Sequence, residues 1–209
     1  MKHMIFFLLK VFVWMYHFSY HKISSLAILE NGGVHPKHRL TNYHKFFTDN
    51  IEKTDVVLDV GCGDGLNTFY ISKKAKKVVG IDISGARIAY AKSHNCAGNI
   101  IYKEGDATKA NFQQHFDKVI LSNVLEHLTN RIEFLMSLHR LSNTLLIRVP
   151  SISRDWLPLY LKEKGLNYAI DPTHETEYTE TSLRAELKAA KWNMVAEIIN
   201  FGEIWVIVN

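Results

Sequence analysis

Cysteine is scarce in this chain: Cys62 and Cys96 are the only two, which excludes a disulfide framework and a four-ligand zinc cluster as organising devices. A reducing cytoplasm is the simpler expected location. Cys62 sits inside a glycine-rich stretch and reads as a small turn residue, not a nucleophile. Four prolines and eleven glycines are too few for a long flexible linker. Lysine and arginine are spread out with a formal net charge of only +4, and the absence of a concentrated basic tract makes nucleic acid an unexpected partner. No internal repeat is present, which removes a solenoid.

An uninterrupted apolar run of spanning length is also missing. The most apolar stretch, Met4 to Tyr20, carries Lys10 in its middle and is marginal for a span. Lys2 precedes it as in a signal peptide, yet no small-x-small cleavage site follows closely. Three readings stand: a helix on a membrane surface or in an oligomer contact, a helix packed on the parent domain, or a span or signal. Membrane association through residues 4–20 is therefore the alternative to a purely cytoplasmic location; the oligomeric state is not readable.

What is present supports one principal domain. A chain of 209 residues that is 47% hydrophobic is long and apolar enough for one substantial core. The turn-rich Asn31-Gly32-Gly33-Val34-His35-Pro36 marks a boundary between a helical extension, 1–34, and the main domain, 35–209. A short helix carrying Leu40, Tyr43, Phe46 and Phe47 is expected next. From there strands and helices alternate. Strands are expected at 56–60, 77–82, 99–103, 116–121 and 144–149, with a helix from Arg131 to Leu141 and one starting at Thr179 or Thr181. This alternation predicts a mostly parallel sheet covered on both faces. Residues 151–178 break the cadence with Trp156, Pro158, Tyr160 and Pro172 and read as a cap or substrate loop. Trp192–Ile199 and Gly202–Val208 read as two strands joined by a tight turn.

The organising stretch is Val56-Val57-Leu58-Asp59-Val60-Gly61-Cys62-Gly63-Asp64-Gly65, a buried-type strand running into alternating glycines. A phosphate-binding P-loop would need Lys followed by Ser or Thr after the glycines, where this chain has Leu66-Asn67-Thr68. The dinucleotide fingerprint needs Gly-x-Gly-x-x-Gly, where this chain has Gly-x-Gly-x-Gly. Asp59 at the mouth of the turn would repel a pyrophosphate but accept hydrogen bonds from a cationic amino-acid portion of a ligand. The segment resembles motif I of the class I S-adenosylmethionine-dependent methyltransferases. Val79-Gly80-Ile81-Asp82 and Gly105-Asp106-Ala107 resemble that family's next two cofactor regions, and the likeness extends over roughly 39–209.

The resemblance implies an α/β, Rossmann-like, seven-stranded and mostly parallel sheet with helices on both faces and a terminal antiparallel hairpin. It also implies S-adenosyl-L-methionine as cofactor. Asp59 and the backbone of Gly61, Cys62, Gly63 and Gly65 are expected at its methionyl group, and Asp82 with Ile83 at the ribose. Asp106 and Ala107 are expected at the adenine, and Ser122 with Asn123 along the cleft. His127 and His174 are the candidate bases. Related quinone O-methyltransferases hold a divalent ion with acids and a histidine near Ser122–Leu128, but Asn123 stands at the earlier acidic position and no metal is expected. No Asn-Pro-Pro-Tyr-like motif follows the fourth strand, which disfavours amide or adenine methylation. The expected reaction is methyl transfer to a small-molecule, saccharide-like or lipid-linked acceptor, at oxygen. Two alternatives stand beside it: a noncatalytic S-adenosylmethionine-binding module and an NAD-dependent oxidoreductase.

Overall fold

Alternation of side chains decides how the central strands are covered. In the computed structural model, which describes residues 1–169 and 171–209, Leu58 and Val60 of β1 (Val56–Val60) enter one core cluster while Val57 enters another. The same division holds in β4 (Lys118–Ser122), with Val119 and Leu121 opposed to Ile120. It recurs in β5 (Leu145–Pro150), with Leu145, Ile147 and Val149 opposed to Leu146. Strands buried on both faces lose the polar-out positions of a half-exposed sheet, and their sequences read as near-continuous aliphatic runs.

Seven strands form one sheet in the order β3-β2-β1-β4-β5-β7-β6. β2 (Lys77–Asp82) and β3 (Ile100–Glu104) continue the parallel set to one side of β1. β4 and β5 continue it to the other. β6 (Met194–Asn200) and β7 (Glu203–Val208) form the antiparallel hairpin, with β7 inserted beside β5. The expected mostly parallel sheet with a terminal hairpin is what the chain adopts.

The chain divides into two compact units, one of residues 1–42 with 155–172 and the other of 43–154 with 173–209. The expected division fell at residue 34 and kept 151–178 with the main domain; the compact units instead break at Asn42 and group 155–172 with the first helix. Residue 170, inside that expected cap segment, lies outside the described residues.

In the first unit, α1 (Lys2–Glu30) is a single 29-residue helix without a buried residue. It is followed by α2 (Lys37–Thr41), and the unit also holds α7 (Trp156–Glu163), capped by the Asp155 carboxylate. No helix among the described residues is long and apolar enough to cross a membrane.

In the second unit, α3 (Tyr43–Asp49) and α4 (Leu66–Ser72) cover the face that holds Val57, Val78 and Trp205. α5 (Gly85–His94), α6 (Arg131–Ser137) and α8 (Glu180–Ala189) complete the helices. The single helix expected across Leu40 to Phe47 is two, because Asn42 takes a left-handed φ of 46° that stops a right-handed helix. The helix expected from Arg131 to Leu141 ends at Ser137 and tightens into a 3-10 turn over Leu138–Arg140. The strand expected from Trp192 begins at Met194, because Lys191 has a φ of 65° and the Trp192 indole donates to the Leu135 carbonyl at 2.9 Å.

Candidate functional site

From β1 the chain runs to β2 and β3 on one side, then crosses to β4 on the other. The connections therefore diverge between β1 and β4, and such a switch point leaves a crevice outside the carboxyl ends of the strands. Gly61–Gly65, Asp82–Ile83, Asp106–Ala107 and Ser122–Asn123 follow β1, β2, β3 and β4 in turn. Topology thus brings all of the expected cofactor residues to one edge.

The glycine turn is built for close approach. Gly61, Gly63 and Gly65 have φ of 63°, 55° and 78°, in the region that glycine enters without steric cost. A Cβ on Gly65 would stand 2.4 Å from the Tyr102 hydroxyl, and one on Gly61 would stand 2.7 Å from Val124 Cγ2. At Gly63 the nearest protein atom would be Arg87 Nη1 at an ordinary 3.6 Å, so backbone conformation and not crowding calls for glycine there. Cys62 is buried, and burial pushes its thiol well above the usual range, as befits a packing residue.

The three acids differ in setting. Asp59 is buried and accepts the Thr68 hydroxyl at 2.6 Å. Burial pushes its carboxyl up to about 7, against the pull of Thr68 and with help from Asp82. Its side chain is thus tied to α4 behind the turn. Asp82 accepts the Gly63 amide on Oδ2 and the Ser84 amide on Oδ1, each at 2.8 Å. A carboxylate has about four lone-pair directions, so this arrangement fixes the group and leaves acceptor capacity. Asp106 accepts the Thr108 amide and hydroxyl on Oδ1 at 2.9 and 2.6 Å, and its Oδ2 pairs with Lys109 at 3.0 Å. The Thr108 and Lys109 contacts hold its carboxyl below the usual range. Ile83 is exposed beside Asp82, and Ala107 is half-buried against the core.

Beyond β4 the chain turns at Asn123, whose φ is 57°, and its side-chain amide donates to Glu126 Oε1 at 2.7 Å. Glu126 is fully buried, burial raises its pKa, and its Oε2 has no hydrogen-bond partner among the described residues. The Glu126 carbonyl accepts the amides of Glu175 and Thr176, which sets the 173–178 loop beside this turn. His127 and His174 meet edge-on with ring centroids 4.8 Å apart. His127 Nδ1 contacts the Thr173 carbonyl at 3.2 Å and hydroxyl at 3.0 Å. A carbonyl only accepts, so a proton on Nδ1 would satisfy that contact and leave the Nε2 lone pair available. His174 Nδ1 faces Glu177 Oε1 at 3.0 Å, and Glu177 also pairs with Arg154. Burial acts to raise the Glu177 carboxyl, but His174 and Arg154 outweigh it and hold it low.

A cleft of about 460 Å³ is lined by Ile83, Asp106, Thr108, His127, Leu128 and Phe134, among others. It joins two expected cofactor residues to one expected base. Glu126, His127 and His174 also offer ligand atoms within 4.8 Å of one another, one carboxylate and two imidazoles of a kind that suits a first-row divalent cation. No metal was expected here because Asn123 stands at the earlier acidic position; the group forms because His174, distant in the chain, is brought beside Glu126 and His127.

Other side chains were missed. Arg148 is 3% exposed, makes a bidentate pair with Glu203 at 2.6 Å, donates to the Ser122 hydroxyl at 3.2 Å and lies over the Tyr43 ring at 3.8 Å. Its signal is in the sequence, as the one charge inside the aliphatic Leu145–Val149 run. Burial pushes the Tyr43 phenol up to about 12. Thr68 and Tyr102, which hold Asp59 and the Gly65 carbonyl, carry no such signal.

These residues fit the cofactor that the resemblance implies. Asp82 is a fixed carboxylate with spare acceptor positions for a diol, and the backbone at Gly63 is crowded by nothing closer than ordinary contact.

Residues 57–144 match the family model of a methyltransferase domain. A ubiquinone biosynthesis O-methyltransferase of Rhodopseudomonas palustris (strain BisA53) is 26% identical over 168 residues, which cover 68% of this chain and 66% of that protein. The enzyme of the same description from Bradyrhizobium sp. (strain ORS 278) is 32% identical over 120 residues, covering 54% of this chain and 46% of that one. The chain thus spans less than two thirds of the length of these curated relatives. In fold, it is similar to a SAM-dependent methyltransferase from Aquifex aeolicus, with a TM-score of 0.64 and 20% identity over 83% of this chain and 92% of that one.

Proposed function

Because the chain belongs to the class I S-adenosylmethionine-dependent methyltransferases, with a methyltransferase domain matched over 57–144, we propose that it methylates a small-molecule acceptor, at oxygen. The acceptor class extends to saccharide-like and lipid-linked compounds. The observation that carries this reading is the cleft that joins Ile83 and Asp106 to His127. Its volume of about 460 Å³ suits a small ligand. The relatives named as O-methyltransferases support oxygen as the nucleophile.

S-adenosylmethionine, when bound, supplies a methyl group already activated on a sulfonium. Asp82 would hold the ribose diol, and the Gly61–Gly65 backbone would admit the methionyl portion. The protein's remaining tasks are to position an acceptor hydroxyl and to take its proton. His127 Nε2 is suited to the second, since Nδ1 is engaged by Thr173. Glu177 orients His174 in the same way, through Nδ1. The reading includes a cytoplasmic location, supported by two free thiols in separate loops.

Labelled cofactor offered with phenols, polar metabolites and lipid-linked sugars tests the reaction. Label in one acceptor class is expected; cofactor binding with no acceptor labelled would favour the noncatalytic module. On the true acceptor, His127→Ala is expected to lower kcat by roughly 10²-fold or more. A chelator should leave turnover unchanged if the imidazoles act as bases, and should abolish it if Glu126, His127 and His174 hold a required cation.

A further inference from the structure

α1 leaves most of its apolar and aromatic surface uncovered. Its least exposed residues are Leu9, Val13, His17, Ser24, Ala27 and Ile28, a stripe at helical spacing that includes two of its polar side chains. Within its own unit His17 contacts the Asn167 carbonyl at 3.2 Å and Ser24 contacts His35 at 3.0 Å. Much of the rest of its circumference is apolar and aromatic, interspersed with the exposed Lys10, His21 and Lys22. Phe7, Phe12, Trp14, Ile23, Leu26 and Leu29 are each more than 60% exposed. An amphipathic helix of a water-facing surface does the opposite and turns this side inward.

Charge identifies what covers that side. α1 contains Lys2, Lys10 and Lys22, together with His3, His17 and His21, and its one acid, Glu30, is its last residue. Lys10 lies 4.9 Å over the Phe6 ring and Lys22 5.6 Å over the Phe18 ring, so cations accompany the aromatic surface along the helix. A second copy of α1 would set Lys10 and Lys22 against cations in either orientation, parallel or antiparallel. An anionic lipid surface is complementary both to the charge and to the aromatic rings, which prefer the headgroup boundary. The helix is too polar to span, which leaves it lying in the plane of the interface.

We propose that α1 anchors this protein on the surface of an anionic lipid bilayer, with Phe7, Phe12 and Trp14 inserted at the headgroup boundary and the lysines held by lipid charge. The inference goes beyond the proposed reaction and holds for any acceptor.

Sedimentation of the full chain with vesicles tests it, using phosphatidylcholine alone and phosphatidylcholine mixed with phosphatidylglycerol. Binding to the mixed vesicles is expected, weakened by salt, with a loss of about fivefold in partitioning for each lysine neutralised. The Lys10→Glu/Lys22→Glu variant should lose binding by more than that, and Phe7→Ser/Phe12→Ser/Trp14→Ser should lose it at low salt as well. Unchanged thermal unfolding and S-adenosylmethionine binding would show that both variants remain folded. Equal binding to neutral and mixed vesicles, or none to either, would overturn the proposal. So would a concentration-dependent dimer in light scattering that the aromatic variant abolishes, since the face would then belong to a second copy.

Discussion

Asp82 anchors the Gly63 and Ser84 amides, and on the proposed reading it also accepts the ribose diol, so a single substitution separates the two duties poorly. Asp82→Ala is expected to weaken S-adenosylmethionine binding by roughly 10- to 100-fold in calorimetric titration, the scale of hydrogen bonds to a charged group. Asp59 makes a different prediction. Its folded pKa is raised by burial from 3.8 to about 7, so the native state holds its proton more tightly than the unfolded one. That contribution to stability is full below the unfolded value and is lost as pH rises through about 7. The parent protein should therefore lose Tm between about pH 5 and about pH 8 more steeply than Asp59→Asn, as read by calorimetric scans across that interval. The order Asp59, Asp82, Asp106 was legible because the acids stand in or just past the last positions of three successive strands. What each carboxylate binds was not, because Thr68 and Thr108 reach them through turns whose geometry no spacing rule encodes.

At the scale of elements, the glycine turn and its neighbours act as one packed object. Gly65→Ala would place a methyl 2.4 Å from the Tyr102 hydroxyl in a left-handed backbone, and is expected to cost about 3 kcal/mol or more in denaturant unfolding. A milder case is α8, where Thr179 and Ser182 exchange side-chain and backbone hydrogen bonds at the amino end. Thr179→Ala should cost about 1 kcal/mol. The start of that helix, expected at Thr179 or Thr181, was readable, because capping is a local hydrogen bond between residues three apart. The breaks at Asn42 and after Ser137 were not readable. Leu40, Tyr43 and Phe47 keep helical spacing across Asn42, and only its positive φ interrupts the chain.

Across the whole molecule, ligand binding and folding are linked. A ligand that binds only the native state adds about 2.7 kcal/mol of stability at a concentration a hundredfold above Kd. S-adenosylmethionine should therefore raise Tm in a concentration-dependent way, and the effect should shrink in Asp82→Ala. Hydrophobic periodicity and the strand-terminal glycines and acids specified the sheet, the parallel strands and the edge at which the cofactor residues gather. They could do so because two-faced burial and tight turns impose local composition. Only tertiary structure joined His127 to His174 across 47 positions with Glu126 beneath them, buried Arg148 between Glu203 and Tyr43, and left the aromatic side chains of α1 exposed. Those arrangements depend on which distant surfaces are desolvated together, and that free energy belongs to the packed chain, not to any one stretch of it.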